Sequence, residues 1–194
     1  TETEVEIIQE EGCSSVINNH YLADLQFKAL EAIGPIEYTA EEIDFAQQIN
    51  DAFPGENSNY IDRYIDYFAP PADIAEAFEN YRDQPLIGRN FRSFDEHVLM
   101  TGSTDVGDLS RVTPVSMLRT ACTPTGVPGH SWGNVAASGM SIGHKGMLHA
   151  AKTMALTAAW LYIEPEHLPE IRAEFERSTS GKSYVAPIPA NVSV

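Results

Sequence analysis

A long apolar run near the C-terminal end of the chain sets the strongest limit on its fold. Six residues recur there at the three- and four-residue spacing of an α-helix, namely Met147, Ala151, Met154, Ala155, Ala158 and Tyr162. Such a helix is apolar nearly all round, and helices of this kind are normally buried. The sequence therefore predicts one largely buried helix at the centre of a core.

Capping signals predict further helices around it. Asn18–Asn19 offers an N-cap for a periodic run over residues 20–33. Thr39 with Glu42 forms a capping box for a second helix, which is expected to end near residue 53. Helical patterns also occupy residues 60–68, 73–83 and 165–178.

Extended segments are predicted between these helices. Alternation through Glu4–Ile7 suggests a half-buried strand, residues 98–100 form a short strand, and Thr113–Cys122 is the best strand candidate in the second half. Interleaved helices and strands predict an α/β fold with a mixed sheet flanked by helices.

The acidity of the chain restricts its partners. Its 194 residues carry a formal net charge of −16, so a basic face for nucleic acid or an anionic membrane is not expected. No apolar run reaches the roughly 18 to 20 residues that cross a bilayer, and the acidic start does not resemble a signal peptide. Two cysteines provide no disulfide framework and are expected to be reduced and buried, which suggests a cytoplasmic protein.

Candidate functional residues gather between Thr101 and Lys152, where glycines punctuate polar loops. His130 follows Pro128–Gly129 on a loop, so a ligand or acid–base role and a structural role both stay open. His144 lies just before the apolar helix, where free backbone N–H groups and Lys145 could seat a carboxylate. The alternative is a tight turn.

The segment GSTDVGD, residues 102–108, places two carboxylates three residues apart. Ser, Thr and Asp are also the residues that satisfy the free amides at a helix start, so a capped turn is the favoured interpretation. We nevertheless include Ser103 and Asp105 among the candidate substrate-binding residues, with His144, Lys145 and Gly146. His149 falls inside the helix and is predicted to be a core histidine.

Three motifs together resemble a known family. GSTDVGDLS, TPTGVPGHSW and GHKGMLHAAKTMALTA occur in the order and spacing of the C-terminal region of M20 metallopeptidase-like amidohydrolases. The chain is most similar to the aminobenzoyl-glutamate utilization protein B type. Its front segment, SSVINNHYLADLQFKALEAIGPIEYTAEEIDFAQQI, also resembles that subgroup.

This resemblance implies a catalytic α/β domain that binds two divalent metals, zinc or manganese, and a smaller inserted lid domain that mediates dimerisation. The implied activity is hydrolysis of an amide bond in a small-molecule or dipeptide-like substrate, often next to glutamate. Residues 1–17 would be a strand returning from the lid, and residues 18–194 the C-terminal portion of the catalytic domain.

The resemblance also implies that most metal ligands and the general base, a Glu, belong to an N-terminal half that this chain lacks. The last metal ligand aligns with His130, and His144 is its rival. Two classes of function stay open: part of an amidohydrolase that is inactive alone, or a non-catalytic half-protein that binds a small molecule or a partner.

Overall fold

The computed structural model describes residues 2–8, 11–53, 70–92, 102–188 and 192. Seven helices occupy these ranges: α1 (His20–Ile33), α2 (Ala40–Asp51), α3 (Ala72–Glu79), α4 (Val106–Leu109), α5 (Trp132–Ser138), α6 (Ser141–Ile163) and α7 (His167–Thr179). None of the helices in these ranges is long and apolar enough to cross a membrane. The chain divides into two compact units, one formed by Thr1–Leu25, Thr101–Met117 and Leu161–Val194, the other by Gln26–Met100 and Leu118–Trp160.

The first two predicted helices are confirmed with their capping signals. The side-chain oxygen of Asn19 accepts a hydrogen bond from the Leu22 N–H at the start of α1, and Gly34 ends that helix with a φ of 85°. Thr39 and Glu42 form the predicted capping box of α2. The predicted helix over residues 60–68 lies outside the described residues.

The predicted α/β fold is wrong, because the described residues contain no strand. Residues 114–122 belong to no regular element, and a strand needs a second segment to share its backbone hydrogen bonds. Here the Val115 carbonyl accepts from the Asn19 N–H, and the Ala121 carbonyl accepts from the Tyr38 hydroxyl. The segment is therefore tied to a helix start and to a side chain instead of a neighbouring strand.

The half-buried strand predicted near the start of the chain is also absent from the described residues. Val5 and Ile7 are 85% and 89% exposed, so this segment buries neither of its faces. The short strand predicted at residues 98–100 falls outside the described residues. Both cysteines are free, but the predicted burial is wrong for each of them, because Cys13 is exposed and Cys122 is only half-buried.

In the first unit, Asn19 joins three segments. Its amide N–H donates to Val115 and its side-chain nitrogen donates to the Ile171 carbonyl of α7 at 2.9 Å. The carboxylate of Glu174, also on α7, accepts from the first backbone amides of α1, those of His20 and Tyr21. A negative charge suits these free amides at a helix N-terminus.

The second unit contains two small apolar clusters. Ala46, Leu86 and Ile142 form one, with Tyr38 and Phe45 packed against it. The other surrounds Phe78, whose ring stacks on Phe91 with centroids 3.9 Å apart. The first cluster brings α2 and the start of α6 together, and this contact positions the site described below.

Candidate functional site

His130 occupies an unusual backbone conformation. Its φ is 57°, in the left-handed region that residues other than glycine seldom adopt. The residue is exposed, and no hydrogen bond or ion pair joins its imidazole to another residue in the described ranges. Such backbone strain concentrates at functional sites, so the conformation motivates a functional hypothesis for His130.

The turn that carries His130 is held on both sides. The Ser131 hydroxyl donates to the Pro128 carbonyl at 2.8 Å and accepts from the Asn134 N–H as the N-cap of α5. On the other side, the Gly126 N–H donates to the side-chain oxygen of Asn50, on α2, at 3.0 Å. These bonds place the imidazole on a loop that is braced by two helices.

Aromatic packing adds to this support. The ring of Trp132 stacks on Phe53 with centroids 4.9 Å apart and planes 23° apart. Gly133 lies against the same Phe53 ring, and an added Cβ there would lie only 2.5 Å from Cε2. The residues on either side of His130 are thus anchored, while its own side chain remains open to solvent.

The described residues fit a metal only as the source of a single ligand. No group of three His, Cys, Asp or Glu side chains in the described ranges is close enough to hold an ion. A structural or catalytic zinc site needs at least three protein ligands. His130, exposed and without a partner in the described ranges, could supply one such ligand.

His144 and Lys145 lie inside a helix and not on the predicted loop before it. Helix α6 begins at Ser141, earlier than expected, and the His144 N–H already bonds to the Met140 carbonyl. The Lys145 ammonium donates to the Glu42 carboxylate at 2.6 Å and to the Glu37 carbonyl at 2.8 Å. This accounts for Lys145 without a bound anion.

The ion pair is half-hidden from solvent, because the side chains of Lys145 and Glu42 are 34% and 8% exposed. Burial raises the pKa of the Glu42 carboxyl, but hydrogen bonds led by that from Lys145 outweigh burial and hold this pKa below its usual value. Glu42 thus has two roles, as part of the capping box and as the counter-ion of Lys145.

Gly146 is explained by close packing. An added Cβ would overlap the Ala121 carbonyl oxygen and lie 2.5 Å from the Cys122 sulfur. The glycine therefore lets the backbone of α6 approach Ala121 and Cys122 closely.

The prediction of a core role for His149 is confirmed. Its side chain is buried, and Nε2 lies 3.2 Å from the Asn90 side-chain oxygen. The Asn90 amide group donates to the carbonyls of Leu30 and Gly34, so its oxygen is left to accept from His149. Burial, helped by the charge of Lys152, lowers the pKa of the His149 imidazole below its usual value.

The turn GSTDVGD is a structural clamp and not the capped turn that its residue types favour, because the N-cap residue Asp105 makes no side-chain capping hydrogen bond. The Asp108 carboxylate accepts from the Ser14 N–H at 3.1 Å and from the Tyr184 hydroxyl at 2.9 Å. Gly107 lies directly against the Ser14 carbonyl, where no Cβ would fit. Ser103 and Asp105 are exposed, and the Asp105 side chain makes no capping hydrogen bond to α4.

The predicted site residues thus fall into different parts of the structure. Ser103 and Asp105 belong to the first compact unit, and His130, His144, Lys145 and Gly146 belong to the second. A broad open cavity of about 600 Å³ in the second unit is lined by other residues, including Tyr38, Tyr81, Arg89 and Asn90.

Replacing Asp108 with asparagine is expected to lower the melting temperature at neutral pH. Hydrogen bonds, first that with Ser14 and then that with Tyr184, hold the pKa of Asp108 below its usual value. A depressed folded-state pKa contributes stability above the unfolded-state value of about 3.9, and this contribution is lost as the pH falls through the folded-state pKa. The difference between the melting temperatures of wild type and variant should therefore shrink below about pH 4.

Thermal unfolding between pH 3 and 7 tests this prediction. Asp105→Asn is the matched control, since that exposed carboxyl in the same turn makes no capping bond. Its effect should stay within about 0.5 kcal/mol at every pH. Equal changes in melting temperature for the two substitutions would show that the hydrogen bonds of Asp108 do not stabilise the fold.

Sequence reasoning missed the partners that hold these residues. The contact of Lys145 with Glu42 joins positions 103 residues apart, and that of Ser14 with Asp108 joins positions 94 apart. No local pattern indicates such pairs. The conformation of His130 had one weak signal, the preceding Pro128–Gly129, which favours a turn.

Comparison with known proteins supports the resemblance seen in the motifs. The chain is 33% identical over 195 aligned positions to the B subunit of p-aminobenzoyl-glutamate hydrolase from Escherichia coli (strain K12). The alignment covers 99% of this chain and 40% of that relative, in its C-terminal part. No family model matches the chain, and no solved structure matches it. The resemblance to the aminobenzoyl-glutamate utilization protein B type is confirmed.

Proposed function

Because the chain is related over nearly its whole length to the B subunit of p-aminobenzoyl-glutamate hydrolase, we propose that it forms the C-terminal part of a similar amidohydrolase. The proposed reaction is hydrolysis of an amide bond to an amino-acid moiety, with glutamate as the first candidate. The observation that carries this proposal is the 33% identity across 99% of the chain, which includes the loop of His130.

The proposed enzyme depends on two divalent ions, zinc or manganese. When bound, such ions polarise the amide carbonyl and activate the attacking water. His130 would hold one of them through a neutral imidazole nitrogen. Its exposure, its strained backbone and its lack of a partner in the described ranges support this role.

The other ligands and the general base would come from the part of the enzyme that corresponds to the remainder of the relative. The complete protein is proposed to be a cytoplasmic homodimer.

The 194-residue chain alone is expected not to hydrolyse p-aminobenzoyl-glutamate. A chimera, in which this chain replaces the aligned C-terminal part of the Escherichia coli relative, is expected to hydrolyse it. Release of p-aminobenzoate, with and without a chelator, measures the difference. The unmodified relative serves as the positive control.

Chelator-sensitive turnover by the isolated chain would contradict the proposed division of the site. A folded, metal-loaded chimera without activity toward amides of amino acids would favour the alternative function, a non-catalytic binding module. Metal analysis and circular dichroism separate that outcome from simple misfolding.

A further inference from the structure

Helix α6 exposes apolar residues that the sequence predicts to be buried. Its buried residues are small or polar for the most part: Ile142, Gly143, Gly146, His149, Thr153 and Thr157. Its exposed residues include an apolar set, here called the α6 stripe, which consists of Met147, Leu148, Ala151, Met154, Ala155 and Ala158. Met147, Leu148 and Met154 are each more than half exposed.

The rotation of the helix is well determined by its buried face. The hydroxyls of Thr153 and Thr157 donate to the carbonyls of His149 and Thr153, at 2.9 and 2.8 Å, so these polar groups are satisfied within the helix. Gly146 fits against Ala121 where no larger residue would. Rotating α6 to bury the stripe would break this packing. The stripe therefore stays exposed in this chain and is available to another polypeptide.

The spacing of the stripe matches what packing against a second helix would need. Met147 and Met154 are one heptad apart, and so are Ala151 and Ala158, four residues after each methionine. This alternation of four- and three-residue steps produces a continuous seam along a helix. Alanines permit close approach, and methionines adapt to an irregular partner. Contiguous exposed apolar surface of this kind normally marks an interaction site.

We propose that the α6 stripe docks against the polypeptide that corresponds to the larger, unaligned part of the Escherichia coli relative. The chain spans 40% of that relative, so the corresponding helix there has a much longer polypeptide available to cover it.

A second copy of this chain is the less favourable occupant. Each copy carries a formal net charge of −16, so two copies repel each other. The proposed docking of the stripe does not require the complete protein to be a hydrolase. The two proposals can therefore fail independently.

The test uses one double variant, in which Met147 and Met154 are both replaced by Glu. Its melting temperature is compared with that of the unsubstituted protein, first in the isolated chain and then in the chimera described above. In the isolated chain both positions face solvent, so the melting temperature should change by less than about 2 °C. In the chimera both charges would be buried without partners, so the melting temperature should fall by at least about 5 °C. Lys152→Glu, exposed on the same helix beside the stripe, is the matched control and should have little effect in either setting.

Co-expression gives a second measurement that does not require a stable chimera. A tagged unaligned part of the relative should capture the wild-type chain and the Lys152→Glu variant, and recover at least about tenfold less of the double variant. Equal melting temperatures of the substituted and unsubstituted chimeras, or equal capture of all three chains, would overturn the proposal. So would light scattering that shows a wild-type dimer of this chain which the double substitution makes monomeric.

Discussion

Replacing His130 with asparagine in the chimera is expected to lower kcat/KM at least about 100-fold and to reduce the bound metal. Loss of a residue that merely supports a metal ligand typically costs about 10- to 100-fold in metal affinity or activity, so loss of a ligand should cost at least as much. A decrease of about 100-fold corresponds to about 2.7 kcal/mol of transition-state stabilisation. The side chain is exposed, so stability should change by no more than about 0.5 kcal/mol.

Asparagine is the informative substitution because it tolerates the left-handed conformation that His130 adopts, with its φ of 57°. His130→Gly relaxes the same backbone strain and should lose metal equally. Metal content by mass spectrometry and initial rates on p-aminobenzoyl-glutamate provide the measurements.

His144→Asn is the comparison that decides between the two candidate ligands. His144 is exposed near the start of α6, and its substitution is expected to leave the metal content unchanged. Full metal occupancy in the His130→Asn chimera, with loss of metal in the His144→Asn chimera, would transfer the ligand role to His144.

Replacing Gly146 with alanine is expected to destabilise the chain by about 1–3 kcal/mol. The new methyl group would overlap the Ala121 carbonyl oxygen, which is backbone and cannot move without displacing its segment. Alanine favours a helix interior by about 1 kcal/mol over glycine, which offsets part of this cost. For a chain of this size each kcal/mol lowers the melting temperature by about 2–4 °C. Gly146→Val should be worse, since two further methyl groups must fit the same space.

Gly139→Ala is the matched control for this prediction. Gly139 ends α5 with a φ of −81°, and an added Cβ would lie in ordinary contact, 3.6 Å from the Val135 carbonyl oxygen. Alanine there should leave the melting temperature unchanged or raise it, because it restricts the unfolded chain. Thermal unfolding of both variants is the measurement. A Gly146→Ala protein as stable as the wild type would contradict the close packing of α6 on residues 121–122.

The site was only partly accessible to sequence reasoning. The position of His130 on a turn follows from Pro128–Gly129 before it. The clamp role of Asp108 does not follow from its residue type, since its partners Ser14 and Tyr184 are distant in the sequence. The pairing of Lys145 with Glu42 does not follow, since the two meet only after α2 and α6 have packed. The prediction of a polar loop around Gly146 is wrong for the same reason, since Gly146 lies inside α6. A glycine pattern alone does not distinguish a bare loop from a tightly packed helix face.

The sequence by itself determined the elements whose signals are local. The limits of α1, its Asn19 cap and its Gly34 stop, and the capping box of α2 depend on residues within a turn of each other. Tertiary structure alone decided which face of α6 is buried and whether residues 113–122 become a strand. An apolar helix face is buried only against a neighbour, and an extended segment becomes a strand only beside another one. Among the described residues neither neighbour is present, so the predicted core stripe of α6 is exposed and the predicted strand does not form.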